Sequence, residues 1–188
     1  DLRHGCIGCP VKCEHRFERP RIANKNRAVR LEYQTVFALG PLCGVDDLST
    51  ITEAAGLCDD LGMDTLSTGS TIAWAMESVE RGVLKLDPKT DPNLHFGNGE
   101  ALLECIELIG KTEGIGTLLA EGSRKAASTL GAGSQEWAMH VKGLEMPGYD
   151  PRHHQNLALG LAISPRGACH NRAGLGMTSE PVPWEDSQ

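Results

Sequence analysis

Hydrophobic and polar positions settle into a regular pattern at Asp46. From there Leu48, Ile51, Ala55, Cys58 and Gly62 recur at i, i+3, i+7, i+10 and i+14, one face of a helix capped by Asp46 or Asp47. A second helix is expected from about Thr68-Gly69 through Ile72, Trp74, Ala75, Met76 and Val79 to the stop at Arg81-Gly82. After a Pro- and Asp-rich loop, Glu100 to Ile109 reads as a helix closed by Gly110. Ile115 to Leu130 reads as another, with Leu118, Leu119, Ala126 and Leu130 inward and Gly131 at its end. Trp137 to Leu144 fits a short extended segment, and Asn156 to Ile163 one more helix. Upstream, Leu31 to Leu39 alternates β-branched, aromatic and polar residues before the turn signal Gly40-Pro41. Residues 1–30 lack apolar periodicity and read as an irregular loop region. The expected class is mainly α, with long Gly/Pro-rich loops and little β.

Composition narrows the picture. The 188 residues include 22 Gly, only 4% aromatic and 40% hydrophobic residues, and carry a net charge of −7. That is neither a disordered tail nor a collagen-like repeat. Net acidity weighs against nucleic-acid binding, and no apolar run approaches the length of a membrane span. Both ends are abrupt, with no basic and apolar leader before Cys6, so the chain reads as a piece of a longer protein. Seven scattered Cys, an odd number, favour a reducing cytoplasm in which clustered cysteines are metal ligands.

The strongest chemical signal is Cys6-x-x-Cys9-Pro10-x-x-Cys13. Three thiolates in eight residues suit one face of an iron–sulfur cubane, and Gly5 and Gly8 let the backbone curl toward the sulfides. Zinc is the alternative, but it usually takes two hooks and no second one follows. A structural role is the third reading. Cys43, Cys58, Cys105 and Cys169 are candidates for a fourth ligand, although Cys58 lies on the apolar face of a helix. A second signal is Asp59-x-x-Gly62-Met63-Asp64, where a helix stops at Gly and an acid leads into the hydroxyl-rich stretch from Thr65 to Ser70. It suits a polar cradle for a heterocycle with several N–H donors. On residue chemistry alone the preferred reading is an ordinary helix–turn–helix with a stop at Gly62 and a Ser67 or Thr68 cap. A third is Arg166-Gly167-Ala168-Cys169-His170, preceded by Gly148-Tyr149-Asp150-Pro151-Arg152-His153-His154. Small residues around His170 would let a ligand approach an imidazole suited to proton transfer near neutrality. His153 and His154 make a weak metal hook, because adjacent residues in a regular element point apart.

Taken in order, these motifs, with Glu32-Tyr33-Gln34-Thr35, Ala38-Leu39-Gly40, Cys43-Gly44 and Ser67-Thr68-Gly69, run from Cys6 to about Arg172. The chain resembles the tungsten-containing aldehyde:ferredoxin oxidoreductase family. The resemblance implies helical domains 2 and 3 of that type, with an iron–sulfur ligand loop and basic segment over 1–30 and a helical region over 31–188. The amino-terminal β-rich domain that binds the pterin pair, a partner of this region, and the carboxy-terminal remainder lie outside the chain. It further implies tungsten (or molybdenum) held by two pterin dithiolenes, a 4Fe–4S cluster, aldehyde oxidation to carboxylic acids, and ferredoxin as electron acceptor. A homodimer is one candidate assembly. By the match, Cys6, Cys9 and Cys13 are cluster ligands and the fourth cysteine falls beyond Gln188. Asp59, Gly62, Met63 (through its backbone) and Asp64 match a pterin-contacting motif, and His170 matches the His beside the metal. One position departs: Gln34 stands where the family often has a Glu near the tungsten, and an amide cannot take a proton from water. If this segment is extended, Glu32 shares a face with residue 34 and can substitute; in a helix it cannot. The family also holds aromatic-ring reductases acting on coenzyme A thioesters. Outside enzymes, a non-catalytic iron–sulfur electron-transfer module and a zinc-stapled interaction domain are the alternatives. By itself, the chain is expected to bind neither cofactor well and to be inactive.

Overall fold

A computed structural model of the chain describes residues 2–5, 7–8, 10, 12–19 and 28–172. Three short strands open it: β1 (Leu2–His4), β2 (Glu14–Glu18) and β3 (Ala28–Leu31). They form an antiparallel sheet with β2 central, His4 opposite Glu14 and His15 opposite Leu31. The expectation of an irregular loop over 1–30 is therefore corrected. Each strand is too short to show a period alone, and backbone pairing with β2 supplies what side chains do not. The one cue was β3, where Val29 and Leu31 turn inward while Ala28 and Arg30 face water.

The alternation over Leu31–Leu39 does not continue as a strand. Helix α1 (Tyr33–Leu39) begins after the extended Glu32 and ends at Gly40. Its buried residues Gln34, Thr35, Ala38 and Leu39 follow helical spacing. Seven residues make a marginal helix by themselves, so packing holds it. Gly69 of α3 (Thr65–Glu80) supplies that packing: a Cβ there would lie 2.3 Å from the Ala38 carbonyl oxygen.

Helices α2 (Leu48–Leu61), α3 and α4 (Gly99–Lys111) enclose the core. Asp47 caps α2, accepting from the N–H groups of Ser49 and Thr50, and Ile51, Ala55 and Cys58 are buried as the pattern predicts. Leu48 lies exposed at the start of that face. Helix α3 is buried on nearly all sides, its Ile72 and Met76 meeting Leu102 and Ile106 of α4 in one core cluster. Burying each of those side chains stabilises the fold by roughly 1.5–3 kcal/mol. Gly110 does not close α4. It lies inside the helix against Leu61, and Thr112 in the left-handed region forms the cap. The expected single helix over Ile115–Leu130 is two, α5 (Gly116–Leu119) and α6 (Gly122–Leu130), broken where Gly122 takes φ +77.

Beyond α6, a 3-10 turn at Ser134–Trp137 leads into a small hairpin, β4 (His140–Val141) with β5 (Leu144–Glu145). Buried Glu145 accepts from the backbone N–H and hydroxyl of Ser123 at 2.9 and 2.8 Å, tying the hairpin to the start of α6. A second, smaller core forms around Leu157 and Leu161 of α7 (Gln155–Ile163), with Ala168, Val141 and Tyr149. It carries the His170 segment. Among the described residues, no helix is long and apolar enough to cross a membrane.

Candidate functional site

The pairing of His4 with Glu14 makes residues 5–13 the loop of a β-hairpin, and this loop holds the whole Cys6–Cys9–Cys13 motif in sequence. Cys6 and Cys9 lie outside the described residues. Cys13 is exposed at the loop's end. Gly5 packs so closely on Lys12 that a Cβ would sit 2.9 Å from its Cα, and Gly8 takes φ +76. The loop's two ends are thus drawn together and its middle turns through a conformation glycine accepts readily.

The turn between α2 and α3 follows from Gly62. At φ +70 it donates to the Asp59 carbonyl, while the Met63 N–H donates to the Cys58 carbonyl at 2.8 Å. The next helix starts earlier than the pattern suggests, because Asp64, not Ser67 or Thr68, is its cap. The Ser67 N–H donates to Asp64 Oδ2 at 2.7 Å. Asp59 and Asp64 both face solvent. Cys58 is buried, and burial pushes its thiol up to about 12, against a smaller opposing hydrogen bond with Thr68. Burial likewise pushes Cys43 and Cys105 up to about 12. All three behave as inert core thiols. Cys169 is buried as well.

The segments around Gln34 and His170 meet at Gly148-Tyr149. The Gly148 N–H donates to Gln34 Oε1 at 2.8 Å, and the Tyr33 hydroxyl donates to the Gly148 carbonyl at 2.5 Å. A Cβ on Gly148 would lie 2.6 Å from the Phe37 ring, so α1 grips this peptide from three sides. Gln34 is 3% exposed and its Nε2 makes no hydrogen bond. The Tyr149 ring stacks on Tyr33 with centroids 5.2 Å apart and stands 5.9 Å from His170, which is half-buried. Burial raises the Tyr149 phenol above its ordinary value. The Gln34 amide acts in the opposite direction, and Tyr33, Glu32 and Cys13 add to the rise. Gln34, Tyr33, Tyr149 and His170 therefore share one neighbourhood.

The helix at Tyr33 removes the shared face on which Glu32 was to replace residue 34, since Glu32 is the extended residue before α1 and Gln34 is inside it. The rings of His153 and His154 do not point apart, because they sit in a turn, and they meet edge to face at 4.7 Å. Among the described residues no group of three or more His, Cys, Asp or Glu side chains is arranged to hold a metal ion. Tyr33 and Tyr149 were legible only as members of motifs. Their stacking joins residues more than a hundred positions apart. Beside them opens a cavity of about 770 Å³, lined chiefly by Phe37, Trp74, Trp137, Met139, Met146 and Tyr149. Such a lining suits an apolar group.

Residues 1–187 match the family model for aldehyde ferredoxin oxidoreductase, domains 2 & 3. The chain is 43% identical over 166 residues to the tungsten-containing aldehyde ferredoxin oxidoreductase of Pyrococcus furiosus, covering 88% of this chain and 27% of that protein. It is 41% identical, at the same coverage, to the protein of that name from Thermococcus kodakarensis. The aliphatic sulfonate oxidoreductase, WOR-like subunit, of Pyrococcus furiosus is 28% identical over 186 residues, covering 93% of this chain and 30% of that one. Among solved structures, the active-site complex BamBC of benzoyl coenzyme A reductase with 1,5-dienoyl-CoA shares the fold. Its TM-score is 0.67 at 24% identity, over 86% of this chain and 25% of that chain. The chain spans about a quarter of the length of its tungsten-containing relatives, at 27%.

Proposed function

Because the chain belongs to the aldehyde ferredoxin oxidoreductase family, we propose that it supplies the cluster-binding hairpin and one wall of the active site of a tungsten enzyme oxidising aldehydes to carboxylic acids. In that reaction one C–H bond breaks, one C–O bond forms with oxygen from water, and two electrons and two protons leave. When bound, the metal–pterin group would supply Lewis-acid and two-electron chemistry, and a 4Fe–4S cluster held by Cys6, Cys9 and Cys13 would supply one-electron transfer toward ferredoxin.

The residues present suit both groups. Cys13 is exposed at the end of a loop that also carries Cys6 and Cys9, three thiols for one cluster face. Asp59, in the last turn of α2, and Asp64, the cap of α3, are exposed carboxylates on either side of the Gly62 turn, and the first N–H groups of α3 favour anionic or hydrogen-bonding ligands. His170 brings an imidazole to the Gln34–Tyr149–His170 group, a ring whose nitrogens can donate or accept a hydrogen bond. It holds the substrate oxygen and moves its proton at a ring nitrogen. Gln34 contributes an N–H donor and no base. Tyr149, stacked on Tyr33, fixes the wall between them.

The observation that carries this reading is the meeting of Gln34, Tyr149 and His170 at the Gly148-Tyr149 segment. Metal analysis of the complete polypeptide, with a panel of aldehydes, tests it. Iron together with tungsten or molybdenum supports the reading. Iron alone supports an electron-transfer module, and one zinc per chain a stapled interaction domain. Replacing His170→Ala should cut turnover with tungsten content intact, and unchanged turnover removes its role.

A further inference from the structure

We propose that Arg19 is a positioning residue that locks the cysteine hairpin onto α2 and so fixes it relative to the Asp59–Asp64 turn. Its use for cofactors rests on the proposed function; the lock itself does not.

Arg19 directly follows β2, the strand that begins after Cys13. In the basic segment of the sequence it has nothing to set it apart from Arg16 or Arg30. In the fold, its side chain is 3% exposed. Nη2 donates to Glu53 Oε1 at 2.6 Å, and Nη1 donates to Asp60 Oδ2 in a short contact. The guanidinium lies across Gly56, where a Cβ would come within 2.6 Å of Nε and 2.7 Å of Cδ. Glu53, Gly56 and Asp60 stand at i, i+3 and i+7, one stripe of α2. The helix thus offers an acid, a gap and an acid, and one arginine fills all three.

Two physical points make this a register device rather than glue. Arg19 Nε and Glu53 Oε2 are buried without hydrogen-bond partners, so the network is not tuned for stability. Buried ion pairs of this kind commonly break even against apolar packing, and fixing a register is their best-attested use. The sheet also reaches α2 through Val29 and Leu31, and apolar contacts of that sort allow sliding. Directional hydrogen bonds to a planar fork do not. Moreover, the last turn of α2 holds Asp59 and Asp60 with no basic residue of its own, where the helix dipole disfavours acids. Arg19 brings a cation to this end of α2 and engages Asp60, the neighbour of Asp59. The end of β2 remote from Cys13 and that turn are therefore joined through one side chain, and the strand carries the constraint to the cysteine loop at its other end.

Hydrogen–deuterium exchange on the chain tests the lock without any cofactor. Arg19→Met and Gly56→Ala should each speed exchange about tenfold in β2 and in residues 58–64 together, leaving α4 and α6 unchanged. Gly56→Ala is decisive, because Gly to Ala inside a helix ordinarily slows exchange. Slower exchange in α2 of that variant overturns the proposal. Should Arg19→Met fail to fold, Glu53→Gln, which keeps an acceptor and removes a charge, should loosen the same two segments, and no change there also overturns it. In the complete protein, Arg19→Lys keeps the charge and loses the fork. A shifted cluster midpoint potential at unchanged iron and tungsten content supports positioning, and an unshifted potential refutes it. Wild-type protein lacking tungsten and molybdenum would remove the enzymatic reading while leaving the exchange result to judge the lock.

Discussion

Gln34 is the residue whose removal speaks most directly about the site. Its Oε1 is the acceptor for the Gly148 N–H at 2.8 Å, and the side chain is 3% exposed. In Gln34→Leu the N–H of half-buried Gly148 loses its partner, a loss of about 1–3 kcal/mol. The Tyr33 hydroxyl still holds the Gly148 carbonyl, which keeps the loss toward the lower end. Gln34→Glu is the more informative variant. Its carboxylate can still accept from Gly148, but burial disfavours the charged form and raises its pKa above the unfolded value of about 4.3. A group whose pKa is raised by folding leaves stability intact below the unfolded value. Stability is then lost as pH rises toward the folded value, by about 1.4 kcal/mol for each pH unit separating the folded from the unfolded pKa. Urea denaturation at several pH values, followed by near-ultraviolet circular dichroism of the Tyr149 region, measures this. The Glu variant should approach wild type near pH 4 and fall below it by roughly 1–3 kcal/mol at pH 7. A Leu variant as stable as wild type, or a Glu variant whose deficit does not change with pH, would refute the account of Gln34 as a buried clamp.

Other outcomes follow from the same geometry. Gly69→Ala should destabilise by about 1–3 kcal/mol although alanine favours helices, because its Cβ would meet the Ala38 backbone at 2.3 Å; a thermal melt checks this. Alkylation followed by mass spectrometry at pH 8 should label exposed Cys13 well before Cys43, Cys58 or Cys105, whose thiols burial pushes up to about 12. Equal labelling would contradict the core. The Asp150 carboxyl is held down at about 2, chiefly by the Arg152 side chain. Carboxyl titration by nuclear magnetic resonance should find it low in wild type and returned toward the ordinary range in Arg152→Gln. Any stability from that pair is present above the unfolded carboxylate range and is lost as pH falls toward 2; both groups are exposed, so salt should weaken it.

Much of the helical frame was legible because periodicity is local. Asp47, Ile51, Ala55, Cys58 and the Gly62 stop follow from spacing and capping chemistry, and so do the Gly131 end of α6 and most of α7. The break at Gly122 and the continuation of α4 past Gly110 depend on what each glycine touches across the fold, whereas the start of α3 turns on which of several local oxygens, those of Asp64, Ser67 or Thr68, takes the cap. The early sheet escaped for a related reason: its strands are stabilised by pairing, which joins positions far apart in the chain.

For the site, the split is equally physical. Residue types alone determined that three thiols share one short loop, that Gly62 ends a helix before an acid, and that position 34 holds an amide that cannot act as a base. Family membership also lies in the ordered motifs. Only the tertiary structure decided that Gln34 and Tyr33 clamp Gly148, that Tyr149 stands between Gln34 and His170, and that one arginine of a basic run is buried on an acid–glycine–acid stripe. Burial and directional hydrogen bonds between distant segments assign these roles. A linear pattern records the groups that can make such bonds, and the fold selects which of them meet.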